Sequence, residues 1–396
     1  MAFEAARAFA HVRALSFPRL SSTSGEEKAG EYIIAQLRSC GLEPREHPFT
    51  YSIFPYAVVL RISVLLQACL LLVGILQSEA RPWLAASLAL LLLGLTLSST
   101  RWGKLFEAAY DVGPRRKSRN IYVRLPAEGP GPNLIFLAHY DSKSQTMPIV
   151  MRVLFYILFY AGVVSLAVAI LAFLAAGHGA VIREMFLGAG MIVSLLSLPI
   201  VLNFTGNKSP GALDNASGAG IVLELARCLG GKIPPGIDVT FVFTGAEEMG
   251  LAGAIKFGQQ FGASYHGRET LCLCYDGAGA EGKLRLTTSY GVPPVRTSRE
   301  LVKLALSFCR RAGIACGETY LPVGAGLEQT PIAHRGFDVL TVHSGRLGHP
   351  LFAVHSPGDL PENLHLASLE NCGKLGESIP VLLAERKNQS GDHARI

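Results

Sequence analysis

From Val153 to Gly177 the chain runs without a charged residue, and few folds can accept such a run. A bilayer core takes about 20 apolar residues per helix, so the stretch predicts a transmembrane helix. A second arm, Met185 to Phe204, follows after His178 to Glu184, with Pro199 placed to kink it. An earlier pair has the same form: Ala57 to Gln77 is apolar except for Arg61 and Gln67, and Trp83 to about Leu97 follows a short turn containing Arg81 and Pro82. The second arm of that pair is marginal in length. Composition agrees with two membrane hairpins, since charged residues make up only 17% of the chain and mean hydropathy is positive. The formal charge of +6 is spread out, and Arg115, Arg116, Lys117 and Arg119 form its one dense cluster. Lying just after an apolar block, this cluster reads as a juxtamembrane marker and not as a nucleic-acid patch.

Between and after the hairpins the pattern is that of a soluble α/β protein. A first helix is followed by Ser22 to Glu27, which caps a helix running to about Cys40, and then by a strand from Glu43 to Tyr51. Soluble character returns at Arg101. Strands are expected at Ser118 to Leu125, Asn133 to Ala138, Ile237 to Thr244, Glu269 to Tyr275 and Phe337 to His343. Helices are expected at Ser217 to Leu229, Met249 to Phe261, Arg299 to Ala312 and about Leu366 to Glu385, with a frayed polar C-terminus. Strands alternating with helices predict a mostly parallel sheet flanked by helices. The hairpins therefore read as insertions into one interrupted catalytic domain: 1–52, 101–148 and 205–396 form the α/β part, and 53–100 and 149–204 the hairpins. The eight cysteines show no metal-binding spacing and read as free thiols. The N-terminus reads as an amphipathic helix and not a signal peptide.

The stretch Phe241 to Gly250 ends an apolar strand on two adjacent carboxylates, Glu247 and Glu248. Because a strand turns successive side chains to opposite sides, one can bind a cation while the other handles a proton; an acidic helix start is the plainer reading. Four further signals accompany it in order: His139-Tyr-Asp141, Gly211-Ala-Leu-Asp214-Asn-Ala-Ser-Gly218, Asp276-Gly277 and His355-Ser-Pro-Gly-Asp359. Taken singly, Asp214 suits a helix cap, Asp276 a turn, and His139 and His355 ordinary strand-end and loop positions. In parallel sheets, however, the carboxyl ends of strands line the binding crevice, and His139, Glu247 and Asp276 all follow apolar strands. The remaining histidines read as structural or surface residues, and the sequon Asn215-Ala-Ser217 as coincidence.

These five motifs in this order resemble the co-catalytic zinc aminopeptidase family, which includes leucyl-type bacterial aminopeptidases, glutamate carboxypeptidase and the related glutaminyl cyclases. The resemblance covers the α/β portion and not the hairpins. It implies two zinc ions, one held by His139 and Asp276, the other by Glu248 and His355, with Asp214 bridging. It further implies that Asp141 accepts a hydrogen bond from the far nitrogen of His139, and that Glu247 is the general base, moving a proton from zinc-bound water to the leaving amine. Two departures stand out. Many relatives carry a tyrosine before the last histidine ligand, where this chain has Val354, which leaves the oxyanion donor unassigned. The segment shaping the substrate pocket corresponds to Gly326 to Pro331, so substrate preference does not carry over.

Few residues separate Asp141 from the third apolar helix, or Phe204 from Asp214, so the catalytic mouth is expected within ~30–40 Å of the bilayer edge. Four crossings put every catalytic segment on one side. That side carries Arg101, Lys104, Arg115, Arg116, Lys117, Arg152 and Lys208, whereas the turns offer Arg81 and Arg183, each offset by an acid; the positive-inside rule then makes it cytoplasmic. The expected function is a membrane-integral, zinc-dependent amide or peptide hydrolase, most conservatively an aminopeptidase, acting on a peptide or amphipathic amide at the bilayer. The alternatives are a hydrolase of amide-linked lipids such as N-acyl amino acids, a one-zinc glutaminyl cyclase suggested by His139 to Lys143, and a non-catalytic membrane receptor.

Overall fold

The computed structural model describes residues 2–98, 107–127, 129, 131–176, 180–265, 267–346 and 348–393. Arg101, Lys104, His178 and His266 lie outside the described residues, as does the placement of the Arg183 and His349 side chains and of those in the C-terminal ten residues.

Runs of buried β-branched and aromatic residues build the sheet. Its strands are β1 (Arg45–Ser52), β2 (Arg115–Leu125), β3 (Asn133–His139), β4 (Asp238–Thr244), β5 (Thr270–Tyr275), β6 (Leu284–Tyr290), β7 (Cys316–Leu321) and β8 (Asp338–Ser344), in the spatial order β1-β2-β4-β3-β5-β8-β6-β7. The four central strands, β4, β3, β5 and β8, are parallel to one another; β1 with β2, β2 with β4 and β8 with β6 pair antiparallel. Every residue of β3, β4 and β5 is buried, as expected for strands covered on both faces. The expected mostly parallel sheet is thus found at the centre, with antiparallel pairs toward the edges.

The sheet's helices are α1 (Ala5–Leu15), α2 (Ser24–Ser39) and, further on, Ser217–Leu229, Ala252–Phe261, Glu300–Ala312 and Leu366–His393. The helix expected from Met249 begins at Ala252, because Leu251 takes a left-handed backbone (φ 65) that no helix interior accommodates. The strands β6 and β7 were not foreseen: β7 is partly exposed and β6 is rich in threonine, so neither has the apolar run that marks the central strands.

The hairpins fold as four apolar helices. α3 (Leu60–Leu76) continues a turn that starts at Pro55, and α4 is Pro82–Leu97. The long α5 is Ile149–Ala176, and α6 (Ala180–Leu195) is followed by the short Ser197–Val201. Among the described residues, three spans are long and apolar enough to cross a membrane: Pro55–Leu76, Ile149–Ala176 and Glu184–Val201. The helix α4 is shorter; at 1.5 Å per residue it reaches only about 24 Å. The break at Leu196 has a clear cause. Pro199 lacks the N–H that would bond to the carbonyl of Leu195, and α6 ends at that residue. Ala85, Ala89 and Leu92 of α4 pack with Val64 and Leu71 of α3 and Phe159, Val163 and Ile170 of α5, in a cluster apart from the sheet's core. The outer face is apolar and exposed at Ile62, Leu66, Trp83, Leu90, Met191 and Ile192.

Candidate metal centre

His139 is the last residue of β3, and Asp276 immediately follows β5. Both therefore stand at the carboxyl edge of neighbouring parallel strands, where side chains converge. Asp214 arrives from the opening of the Ser217–Leu229 helix and Glu247 and Glu248 from a turn beyond β4, while His355 lies in the loop after His349–Ala353. The glutamate pair is not delivered by strand alternation: Gly245 and Ala246 intervene after Thr244, and Ala246 has φ 54.

The structure brings all seven sequence-named residues into one buried cluster. The Nε2 atom of His139 lies 3.2 Å from Asp214 Oδ1 and 3.9 Å from both Asp276 Oδ2 and Glu247 Oε2. His355 Nε2 lies 3.0 Å from Asp214 Oδ2 and 3.1 Å from Glu248 Oε2. Asp214 thus turns one oxygen to each histidine. Two triads result, His139/Asp214/Asp276 and Asp214/Glu248/His355, each with its ligand atoms within 4.8 Å of one another.

Around them stands a shell of backbone and side-chain supports. Asp141 accepts backbone N–H bonds from Glu247 and Glu248, both at 3.1 Å, while its Oδ1 sits 3.5 Å from His139 Nδ1. Its contribution here is therefore to pin the carboxylate pair; the bond expected from His139 is not made, and Nδ1 of that ring is buried without a hydrogen-bond partner. Asp359 does the same for the bridging residue, accepting N–H bonds from Leu213 (2.7 Å) and Asp214 (3.1 Å). The buried Arg19 ties three segments together, donating to the carbonyls of Phe17, Tyr140 and Gly211. Asn215 is fully buried and donates to the Tyr275 carbonyl at 2.7 Å, so the sequon's amide faces inward.

Two supports had no signature in the sequence. Gln145 Oε1 accepts from His355 Nδ1 at 2.9 Å, which leaves His355 Nε2 with its lone pair toward the centre. Gln145 is itself held by Arg152 Nη1 (2.8 Å) and donates to the Tyr56 hydroxyl (3.2 Å), one residue from each apolar hairpin. Lys143, buried, sits with its Nζ 2.8 Å from Glu248 Oε2. Asp359, by contrast, closes a motif already visible as His355-Ser-Pro-Gly-Asp359.

Electrostatically the cluster is short of positive charge. Burial, reinforced by the charge on Asp214, pushes Asp276 up to about 8. Burial and the neighbouring carboxylates of Glu248 and Asp276 raise Glu247 well above the usual range against the pull of His139. Burial opposes ionisation of Glu248 too, but His355 and Lys143 hold it at about 2. Both histidines are raised despite burial, His139 chiefly by Glu247 and His355 by Glu248. Carboxylates packed this closely need cations between them. The Nε2 atoms of His139 and His355 are buried without a hydrogen-bond partner, as a bound ion would explain. Imidazole nitrogen with carboxylate oxygen is a donor set that suits zinc. The residues present therefore fit the metal that the motifs imply.

The centre opens into a cavity of ≈ 1150 Å³ that continues between the apolar helices, past Tyr56, Leu60, Tyr156 and Ile200. Gly326, Leu327 and Thr330 of the expected pocket-shaping segment also line it.

Residues 195–378 match peptidase family M28 in sequence. A 49-residue stretch is 48% identical to aminopeptidase YwaD of Bacillus subtilis (strain 168); it covers 12% of this chain and 10% of that protein. The fold is similar to that of BSAP, a zinc aminopeptidase from Bacillus subtilis, with a TM-score of 0.55 at 15% identity over 98% of this chain and 95% of that one. It is similar also to Porphyromonas gingivalis glutaminyl cyclase, with a TM-score of 0.53 at 16% identity over 97% and 99% of the two chains. The family resemblance named from the motifs is borne out, and the sheet and its helices have the zinc aminopeptidase form.

Proposed function

We propose that this chain, similar in sequence to the M28 peptidases and in fold to the zinc aminopeptidases, is a membrane-integral metallopeptidase. It hydrolyses an amide or peptide bond, most conservatively as an aminopeptidase, at a two-zinc centre beside the bilayer. The observation that carries this reading is the pair of triads sharing Asp214, since a two-metal site needs a bridging carboxylate between ions about 3.5–4 Å apart. His139 and Asp276 would hold one ion, Glu248 and His355 the other, and Asp214 both.

Bound there, zinc supplies Lewis acidity, polarising the amide carbonyl and making water acidic enough to lose a proton near neutral pH. Glu247 accepts that proton as the water oxygen attacks the carbonyl carbon. It returns the proton to the amine nitrogen as the C–N bond breaks. Its place next to, but outside, both triads suits it to proton transfer. Asp141 holds Glu247 and Glu248 in register through their backbone N–H groups, and Gln145 fixes the ring of His355. The hydroxyls of Tyr56 and Tyr110 line the same cavity and are the candidates for the oxyanion donor that Val354 cannot be.

The membrane reading rests on the three long apolar spans and on the exposed apolar exterior of the hairpins. If the shorter α4 crosses as well, four crossings put the basic residues and the catalytic part on one side, and the positive-inside rule makes that side cytoplasmic.

Metal analysis of purified protein tests the centre: about two zinc ions per chain support the hydrolase, one supports a glutaminyl cyclase, and none supports a receptor. Glu247→Gln should retain the metal and lose activity by 10²–10⁴-fold. Loss of metal in that variant would make Glu247 a ligand and overturn its assignment as base.

A further inference from the structure

The cavity has a direction. Along α5 it is lined by Arg152, Tyr156, Tyr160 and Val164. Their spacing of four makes one continuous helix face, and the twelve residues from first to last carry it about 18 Å along the helix at 1.5 Å per residue. The facing wall runs from Tyr56 to Gln67, about 16 Å. The space is thus a channel that starts at Glu248 and His355 and runs lengthwise between helices whose outer faces are apolar.

Its lining changes along that direction. At the centre stand the carboxylates of the two triads and Glu247. Next comes a belt of three cations, Lys143, Arg152 and Arg61. Beyond it the walls are Leu60, Tyr156, Ile157 and Ile200, and deep in the bundle Gln67 accepts from Thr96 Oγ1 (3.5 Å) beside Tyr160.

With the four cavity-facing carboxylates Asp214, Glu247, Glu248 and Asp276 balanced by two divalent ions, the lining carries net positive charge: Lys143 keeps its pairing with Glu248 at 2.8 Å, while Arg152 donates to Gln145 and Arg61 to the Asn203 carbonyl, both neutral partners. Such a channel repels a protonated α-amine and attracts a carboxylate. Its deep half is walled by apolar and uncharged side chains, which suit a long unbranched chain and not a charged one.

We propose that the substrate is a single-chain acyl amide bearing a carboxylate, an N-acylated amino acid, with its chain between α3 and α5 and its carboxylate at Lys143, Arg152 and Arg61. This rests on the amide-hydrolase reading and narrows it, taking an acyl amide in place of an aminopeptidase's free amine. Hydrolysis adds one water across the C–N bond, yielding a fatty acid and a free amino acid. The chain stays in the channel until the acid departs to the bilayer, and the depth of Val164 and of Gln67 sets the chain length.

The test uses the full zinc-loaded chain in nanodiscs with N-acetyl-, N-octanoyl- and N-lauroylglycine, the corresponding neutral glycinamides, and leucyl amide. We expect lauroylglycine to exceed both its glycinamide and leucyl amide by at least about tenfold in kcat/KM. Val164→Trp should lower the lauroyl-to-acetyl ratio by about tenfold, a comparison that cancels partition into the disc because the bilayer is the same for both proteins. A second measurement does not depend on catalysis: the zinc-loaded wild type should bind laurate, which it cannot hydrolyse, by calorimetry, and V164W should bind it at least about fivefold more weakly while melting at the wild-type temperature. Hydrolysis of leucyl amide with no chain-length dependence and no laurate binding would overturn the acyl-amide proposal alone. No hydrolysis of any amide by zinc-loaded protein would overturn the hydrolase reading, and the proposal with it.

Discussion

At the scale of single residues, the centre depends on groups that touch no substrate. Gln145 is the clearest. Its one carbonyl oxygen takes both the Nδ1–H of His355 and an N–H of Arg152, so the ring cannot turn without breaking a bond in the interior. Removing a partner of a metal-binding histidine typically costs 10–100-fold in affinity. Gln145→Ala should accordingly weaken zinc binding by that factor in a competition titration with a chelator, while Gln145→Glu, which keeps the acceptor, should restore most of it. The proposed ligands were legible because each sits in a short motif, three of them at or just beyond the end of an apolar strand. Gln145, Lys143 and Arg19 were not. A lone polar residue carries no periodicity, and the partners that define it lie at Tyr56, Arg152, Glu248 and Gly211, far away along the chain.

At the scale of elements, what packs the hairpins is small residues. A Cβ added at Gly162 of α5 would meet Val193 Cγ2 of α6 at 2.5 Å, a close approach that membrane helices use because lipid gives no hydrophobic drive to bring them together. Gly162→Leu should therefore destabilise the protein by about 1–3 kcal/mol, read as a lower melting temperature in detergent, whereas Gly94→Leu, where an added Cβ meets nothing within 4 Å, should change little. Elements with an unbroken apolar run or a full helical stripe could be placed to within a few residues from sequence. Those that depend on context could not. The glutamate pair lies in a turn because Ala246 and Leu251 take left-handed backbones, held by Asp141 from the segment just beyond β3. The strands β6 and β7 owe their place to pairing with each other and with β8.

At the scale of the whole molecule, the chain passes twice out of its α/β part into apolar helices: Tyr56 and Arg152, one from each hairpin, reach the centre through Gln145, and after the second hairpin Phe204 is followed within ten residues by Asp214. The interruption was evident in the sequence as two blocks of hydropathy within an α/β rhythm. That the blocks form one bundle with a channel leading to the centre was not, since helix faces meet according to packing. The proposed orientation is open to measurement. Cys40 is exposed at the end of α2, so in intact cells it should resist a membrane-impermeant maleimide and react after lysis; reaction in intact cells would place the catalytic part outside.

The clasp on Gln145 has one more consequence. Since Tyr56 and Arg152 grip it from two separate insertions, the distance between those insertions is felt at the ring of His355. A thinner or laterally compressed bilayer that tilts one helix pair against the other would loosen that grip. The enzyme's hold on its metal would then follow the thickness and tension of the surrounding lipid, making the hairpins a gauge as well as an anchor.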